Sequence, residues 1–540
     1  VENGENPAVK DPKSATLNLL MAYSLGRFLT LSALLLFCVA AFGCATAVVK
    51  PEAFDTAILK RTPLPSGLIT QEKKGEYLVT PGTGWMGGLN STKNLTFAGF
   101  RPDSQSLLFC LVIHCDPVND QLVLLPLDDG ETPLTVLTDQ KRREELKQIV
   151  SSFNGDPGEY LGKRALISLP LSQAITQKKL GLPLPKPGRI FAVAANFPSH
   201  LKYDLAIKDP AVPKRLGKTR ARVFLKYPPV MPPDTAEAHL KEFTGIIGPY
   251  DGVDYPSHIT LPAVDGIKEE TETRLDYEVE IGVVIKRRLT WDIIESGGED
   301  AIRPAIAGYL LVSDTKARNP QVVERLLTRN LPYPKEPSPY LTGDEDIDRA
   351  LGLWNSETCV WWGYAASWGN YASLGPFFVS APPDWSFPAR ALISARSYGA
   401  FSKRPFKPPQ GRDDEVLYLR QCSIITEEDG HQDKLIWEIP RIISSILGPD
   451  SALTFREGTP ALEPGDIICL GTPGGTVITA QSRQRVNLLR KVLFWWNPMD
   501  WHDVFFDKNT ELYLHDGDKV FFWAEGLGFQ HQEIRRISIE

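Results

Sequence analysis

The run Ile281-Gly-Val-Val-Ile285 offers no polar side chain to either face of a strand, so a strand formed there needs cover on both sides. The residues leading into it, Asp276-Tyr-Glu-Val-Glu280, carry two carboxylates two positions apart. Side chains at that spacing share a face, so Glu278 and Glu280 stand together while Tyr277, Val279 and Ile281 pack on the other side. A second apolar run, Ala305 to Ser313, ends on Asp314 and could bring a third carboxylate beside them. Converging anions repel, and a hard divalent cation is the usual means of keeping them ionised together. The alternative is a half-exposed strand with a solvated acidic face. The doubly apolar run favours burial.

At 540 residues the chain can bury a large core and divide into two or three domains. A net charge of −7 over this length, with no long basic block, leaves no footprint for nucleic acid. The 44 Pro and 42 Gly residues favour turns, short strands and long loops over a helical bundle.

From Phe28 to Val49 no residue is charged, Arg27 precedes the stretch, and Ala45-Thr-Ala47 has the form of a signal-peptidase site. Residues 1–50 therefore read as a signal peptide, or as a membrane anchor through residues 28–49. The expected localisation is the secretory pathway, anchored or secreted, or the cytoplasm if the leader is an artefact of gene prediction. Sequons at Asn90 and Asn94 give weak support to secretion. Outside the leader, which holds Cys38 and Cys44, five cysteines remain with no spacing of a disulfide scaffold or zinc site, and buried thiols are expected. Cys110 and Cys115, five apart on a strand, should face opposite sides.

Residues 51–95 read as linker and 96–182 as a small α+β unit, with strands near Leu107–Ile113, Gln121–Leu125 and Ala165–Leu169 and a helix near Asp139–Phe153. Residues 183–540 carry many strands, helix candidates at Gln321–Thr328 and Glu438–Leu447, and insertions near 328–356, 401–416 and 478–512. The last contains the aromatic run Phe494 to Trp501, read as packing over the core.

Further segments join the acidic motif in order. These are Lys186 to His200, with its Asn-x-x-x-His loop; Arg222 to Lys226; Ser313-Asp-Thr-Lys-Ala-Arg-Asn-Pro-Gln321; Ser373-Leu-Gly-Pro-Phe-Phe-Val-Ser380; Leu462 to Gly475, with its Gly-Thr-Pro-Gly loop; and Asp516 to Gly528. Together they resemble the fumarylacetoacetate hydrolase family over about 185 to 530. The resemblance implies an α+β, mainly β fold: a mixed β-roll catalytic domain of fumarylacetoacetase type, with a small α+β N-terminal domain, in a homodimer. It implies Mg²⁺, Mn²⁺ or Ca²⁺ on Glu278, Glu280 and Asp314, and His200 as the base that activates water. Gly471, Thr472, Lys226 and Arg318 fall at substrate-contact positions, Arg318 also being placed to orient the carboxylates.

The implied function is hydrolytic cleavage of a C–C bond in a β-diketo acid or acylpyruvate-like substrate. The alternatives are an oxo-acid decarboxylase, tautomerase or hydratase, or a non-catalytic metal- or ligand-binding member. The chain departs from the family pattern at two places. Tyr203 stands where an acidic residue often follows the histidine, with Asp204 one further on. Ala366 and Gly369 replace a lysine and an aspartate, and Lys316, where the family has a small residue, could supply a substitute charge.

Overall fold

The strand expected around Glu278 forms over Leu275–Ile285, and all 11 of its residues are buried. The computed structural model describes residues 57–61, 64–71, 77–89, 94–154, 165–204, 207–227, 245–255, 260–261, 270–271, 274–318, 332–335, 339–345, 348, 359–368, 370–382, 391–397, 417–425, 433–449, 451, 453, 460–476 and 513–536. The apolar leader, Asn90, the helix expected at Gln321–Thr328, Gly369, the insertion at 401–416 and the aromatic run at Phe494–Trp501 lie outside them. No described helix is long and apolar enough to cross a membrane.

In chain order the main elements begin with strands β1 (Thr96–Phe100), β2 (Leu108–Asp116) and β3 (Gln121–Pro126), helix α1 (Gln140–Ser152), β4 (Ile167–Pro170), β5 (Ile190–Val193) and β6 (Val223–Tyr227). Next come β7 (Leu275–Ile285), α2 (Trp291–Ile302), β8 (Ile306–Ala317), α3 (Cys359–Ala365), β9 (Ala372–Ser380), β10 (Ala391–Ser397) and β11 (Leu417–Ile424). The last are α4 (Ile439–Leu447), β12 (Ile467–Cys469), β13 (Lys519–Ala524) and β14 (Gly528–Arg536).

The main path of a 12-stranded mixed sheet runs β4-β3-β2-β1-β9-β8-β7-β12-β5-β6. A seven-stranded sheet follows the order Ile69–Gln71, Tyr77–Val79, β11, β10, β13, β14, Val253–Tyr255. The fold is thus mainly β with few helices. The strands of residues 96–182 pair into the large sheet through β1 and β9, so that sheet is continuous across the position where a boundary was expected.

The two sheets pack through one face of β7. Tyr277, Val279, Ile281 and Val283 enter a core shared with Phe521, Phe522 and Trp523 of β13, and Tyr277 meets Phe522 edge-on with centroids 5.9 Å apart. The opposite face of the large sheet carries a second apolar cluster, with Val284, Val312, Phe224 and Ala366, capped by Leu146 and Val150 of α1. Alternation along β7 and β8 therefore turns Glu278, Glu280 and Asp314 to the side of this second cluster.

Three differences from the sequence expectations have local causes. Within residues 51–95, two short strands join the smaller sheet and Trp85 is fully buried against Phe521 and Trp523, so part of this stretch packs instead of linking. One such aromatic contributes about 4 to 6 kcal/mol of gross transfer free energy, more than the surrounding Pro and Gly suggest. Helix α2 was not foreseen because Gly297 and Gly298 interrupt its pattern; Gly298 has φ +58° and breaks the helical path there. In β2 a bulge between Val112 and His114 inserts one residue and reverses the alternation. Cys110 and Cys115 consequently both pack against the intersheet core, and burial pushes both thiols up to about 12.

On β14, His531 has a buried Nε2 without a hydrogen-bond partner among the described residues, and burial with the Lys519 and Lys178 charges pulls its pKa down to about 4. A depressed folded-state value contributes stability above the unfolded value of 6.5 that is lost as pH falls toward 4. Chemical denaturation of His531→Gln should therefore show an acid limb flatter than wild type by about 3 kcal/mol across that window.

Candidate active site

Antiparallel pairing sets Glu278 of β7 directly opposite Asp314 of β8, with Glu280 two residues on. Ligand atoms of the three carboxylates all lie within 4.8 Å of one another, and all three residues are buried. Lys316, two positions beyond Asp314 on the same face, puts its Nζ 2.6 Å from Glu278 Oε2 and 3.0 Å from Asp314 Oδ2. Lys226 enters from β6 and donates to Asp314 Oδ1, to the Ala366 carbonyl at 2.7 Å and to the Tyr371 carbonyl at 3.2 Å. Arg318 donates to Glu278 Oε1 at 2.5 Å and to Asp276 Oδ2 at 2.6 Å. It thus orients the carboxylates from behind.

These contacts divide the carboxylates electrostatically. Burial raises the pKa of Glu278, but the Lys316 and Arg318 charges outweigh it and hold this group below the usual carboxylate range. Glu280 has the Gly471 amide at 3.0 Å and, among the described residues, no cation in ion-pair contact. Burial, then the Asp314 and Glu278 charges, push its pKa well above normal. The Lys316 ammonium, penalised by burial, is held above its ordinary value by Asp314, Glu278 and Glu280. A cluster of hard oxygen donors containing one uncompensated carboxylate fits a divalent cation, which would supply the missing charge beside Glu280.

His200 begins a widened helical turn, His200–Asp204, of the π type. That turn sets the residue four positions on beside the ring, and His200 Nδ1 lies 2.6 Å from Asp204 Oδ2. Asp204 is buried and also accepts the amides of Gly475 at 2.9 Å and Thr476 at 3.2 Å. The carboxylate partner of the histidine is therefore Asp204, at the position after Tyr203. A charged His200 also lies near enough to Glu278 to favour its ionised form.

The loop 471–475 packs directly on the His200 loop. Gly471 has φ +89°, and a Cβ at Gly474 would fall 2.5 Å from the Ser199 carbonyl oxygen. Gly471 gives its amide to Glu280, while the Thr472 hydroxyl donates to the Val279 carbonyl at 3.0 Å and accepts from Gln421 at 2.9 Å. Both residues thus tie the loop to β7.

Several further residues support the site. Asn196, fully buried, donates to the Leu470 carbonyl at 2.8 Å and accepts the Trp437 amide at 2.7 Å, joining the histidine loop to the end of β12. Asp433, held above the ordinary range by burial, accepts the Ser199 amide at 2.7 Å and the Ser423 hydroxyl at 2.7 Å. Both act across more than 200 residues of chain; the Asn-x-x-x-His motif marks Asn196 but not its partners, and no local pattern marks Asp433. Asp276 was visible: it stands two residues before Glu278 and shares its face.

The family model described as fumarylacetoacetate (FAA) hydrolase C-terminal matches residues 189–334 and 355–535. No curated protein matches. Solved structures similar to this chain include a fumarylacetoacetate hydrolase from the psychrophile Exiguobacterium antarcticum, at 14% identity and TM-score 0.40 over 82% of this chain and 100% of that one. A probable 2-hydroxyhepta-2,4-diene-1,7-dioate isomerase from Mycobacterium abscessus has 18% identity and TM-score 0.39 over 82% and 99%. A maleylpyruvate hydrolase from Sphingobium sp. SYK-6, in complex with manganese(II) and pyruvate, has 15% identity and TM-score 0.38 over 82% and 100%.

Proposed function

Because the chain belongs to the fumarylacetoacetate hydrolase C-terminal family, we propose that it is a divalent-metal-dependent enzyme that hydrolyses a C–C bond in a β-diketo acid or acylpyruvate. The observation that carries this reading is the convergence of Glu278, Glu280 and Asp314 within 4.8 Å. Mg²⁺ or Mn²⁺ held there would supply a Lewis acid to polarise the 2-oxo acid end of the substrate and stabilise the enolate that leaves.

The remaining chemistry belongs to the chain. Asp204 accepts the Nδ1 proton of His200, which leaves Nε2 as the base. Nε2 takes a proton from water, and the water oxygen attacks the distal carbonyl carbon. The C–C bond then breaks with its electron pair on the 2-oxo acid fragment, and the imidazolium returns a proton to that carbon. The products are two acids, one of them pyruvate when the substrate is an acylpyruvate.

A second reading, a decarboxylase or tautomerase, is favoured by the loss of the family lysine at Ala366, a fully buried residue whose carbonyl accepts Lys226. Product analysis separates the two. Protein stripped with chelator and resupplied with Mn²⁺ should release pyruvate and the second acid in equal amounts from one or more of a panel of acylpyruvates. Release of CO₂, or rearrangement without cleavage, selects the second reading, and no turnover of any kind rejects both.

A further inference from the structure

The cations already seated among the three carboxylates are the protein's own side chains, and they are held very differently. Lys226 has Asp314 Oδ1 and two main-chain carbonyls, those of Ala366 and Tyr371. Its ammonium is anchored by backbone that cannot follow it elsewhere. Lys316 has, among the described residues, only Glu278 Oε2, Asp314 Oδ2 and the ring of Phe224, whose centroid is 5.5 Å from Nζ. The two oxygens it bridges are the ones its neighbours leave over: Arg318 takes Glu278 Oε1 and Lys226 takes Asp314 Oδ1.

An ion coordinated by Glu278, Glu280 and Asp314 approaches its oxygens to about 2.0–2.6 Å. An ammonium in ion-pair contact with two of the same carboxylates stands against the same oxygens, and the two positive charges would face each other in a site with little solvent to screen them. Glu280, with no cation in ion-pair contact among the described residues, is the carboxylate whose charge a bound ion would offset. We propose that Lys316 is an internal competitor for the divalent ion, closing the gap between Glu278 and Asp314 in the metal-free protein and withdrawing when the ion binds. This rests on the reading of the three carboxylates as a cation site. Occupancy is then set by the difference between two cations, one of them covalently tethered, and in the ion-free state the Glu278–Asp314 repulsion is offset by Lys316 while Glu280 is left without a cation.

The test is calorimetric titration of Mn²⁺ into chelator-stripped wild type, Lys316→Met and Lys316→Ala, with circular dichroism to confirm folding. Tighter binding by about 10- to 100-fold in either variant is expected, because the competing charge is gone. Equal or weaker binding in the folded variants overturns the competition while leaving the cation site in place. No binding by any of the proteins removes the cation site and the proposal together. A crystal structure of wild type grown with Mn²⁺ tests the same point without a variant, using anomalous scattering to place the ion. Lys316 Nζ should be withdrawn from Asp314 Oδ2, and an ion on the three carboxylates with both Lys316 contacts intact would overturn the proposal.

Discussion

His200→Asn should lower acylpyruvate cleavage by about 10²–10⁴-fold in kcat while leaving Mn²⁺ affinity within about twofold of wild type. The split follows from the geometry. The imidazole is fixed through Nδ1 by Asp204, which is itself held by the Gly475 and Thr476 amides, and in the proposed mechanism Nε2 is the base. Asparagine can preserve a hydrogen bond to Asp204 but offers no base near neutral pH. The ion's oxygens come from β7 and β8, which do not depend on that ring. Kinetics and calorimetry on one preparation check both halves, and a large loss of Mn²⁺ affinity would show that His200 belongs to the cation site instead. Since the ring is oriented by a buried carboxylate, Asp204→Asn is the natural companion, acting on the tautomer and not on the base itself.

Glu280→Gln should abolish stoichiometric binding of the divalent ion and, with it, turnover by about 10³-fold or more. Metal analysis after gel filtration is the direct measurement. The same substitution should raise the thermal midpoint of the metal-free protein at neutral pH. The sign comes from linkage: the folded-state pKa of Glu280 lies above its unfolded value, so stability present at low pH is lost as pH rises through the raised value. The neutral amide of the substituted side chain would carry no such charge, and the pH dependence should flatten accordingly. A variant that loses the ion yet is also less stable without it would contradict the view of Glu280 as the uncompensated carboxylate.

Much of this site was legible because it obeys a short-range rule. Glu278 and Glu280 at a spacing of two, and an apolar run ending on Asp314, are local patterns, and strand pairing turns them into neighbours. Helix α4, at Ile439–Leu447, and β3, at Gln121–Pro126, follow their hydrophobic patterns closely. What escaped has no local signature. The faces of Cys110 and Cys115 depend on one inserted residue in β2. Asp433, and the partners of Asn196, come together only in the folded chain, whereas Asp204 was already a candidate, four residues after His200 at a spacing that a helical turn brings together. Lys316 lay between these cases. Its spacing from Asp314 put it on the right face, but its reach across to Glu278 comes from the register of β7 against β8.

That register has a consequence for how the protein folds. The paired segments of β7 and β8 are apolar on both faces along much of their length, so apolar packing alone would tolerate several alignments. A slip of β7 by one residue would drive Glu278 and Glu280 into the intersheet core beside Phe522 and turn Tyr277 toward Asp314 and Lys316. Stranding those charges without partners in an apolar layer would cost several kcal/mol each. The residues proposed to hold the ion thereby also guard strand alignment, and a variant that neutralises several of them at once should fold less faithfully.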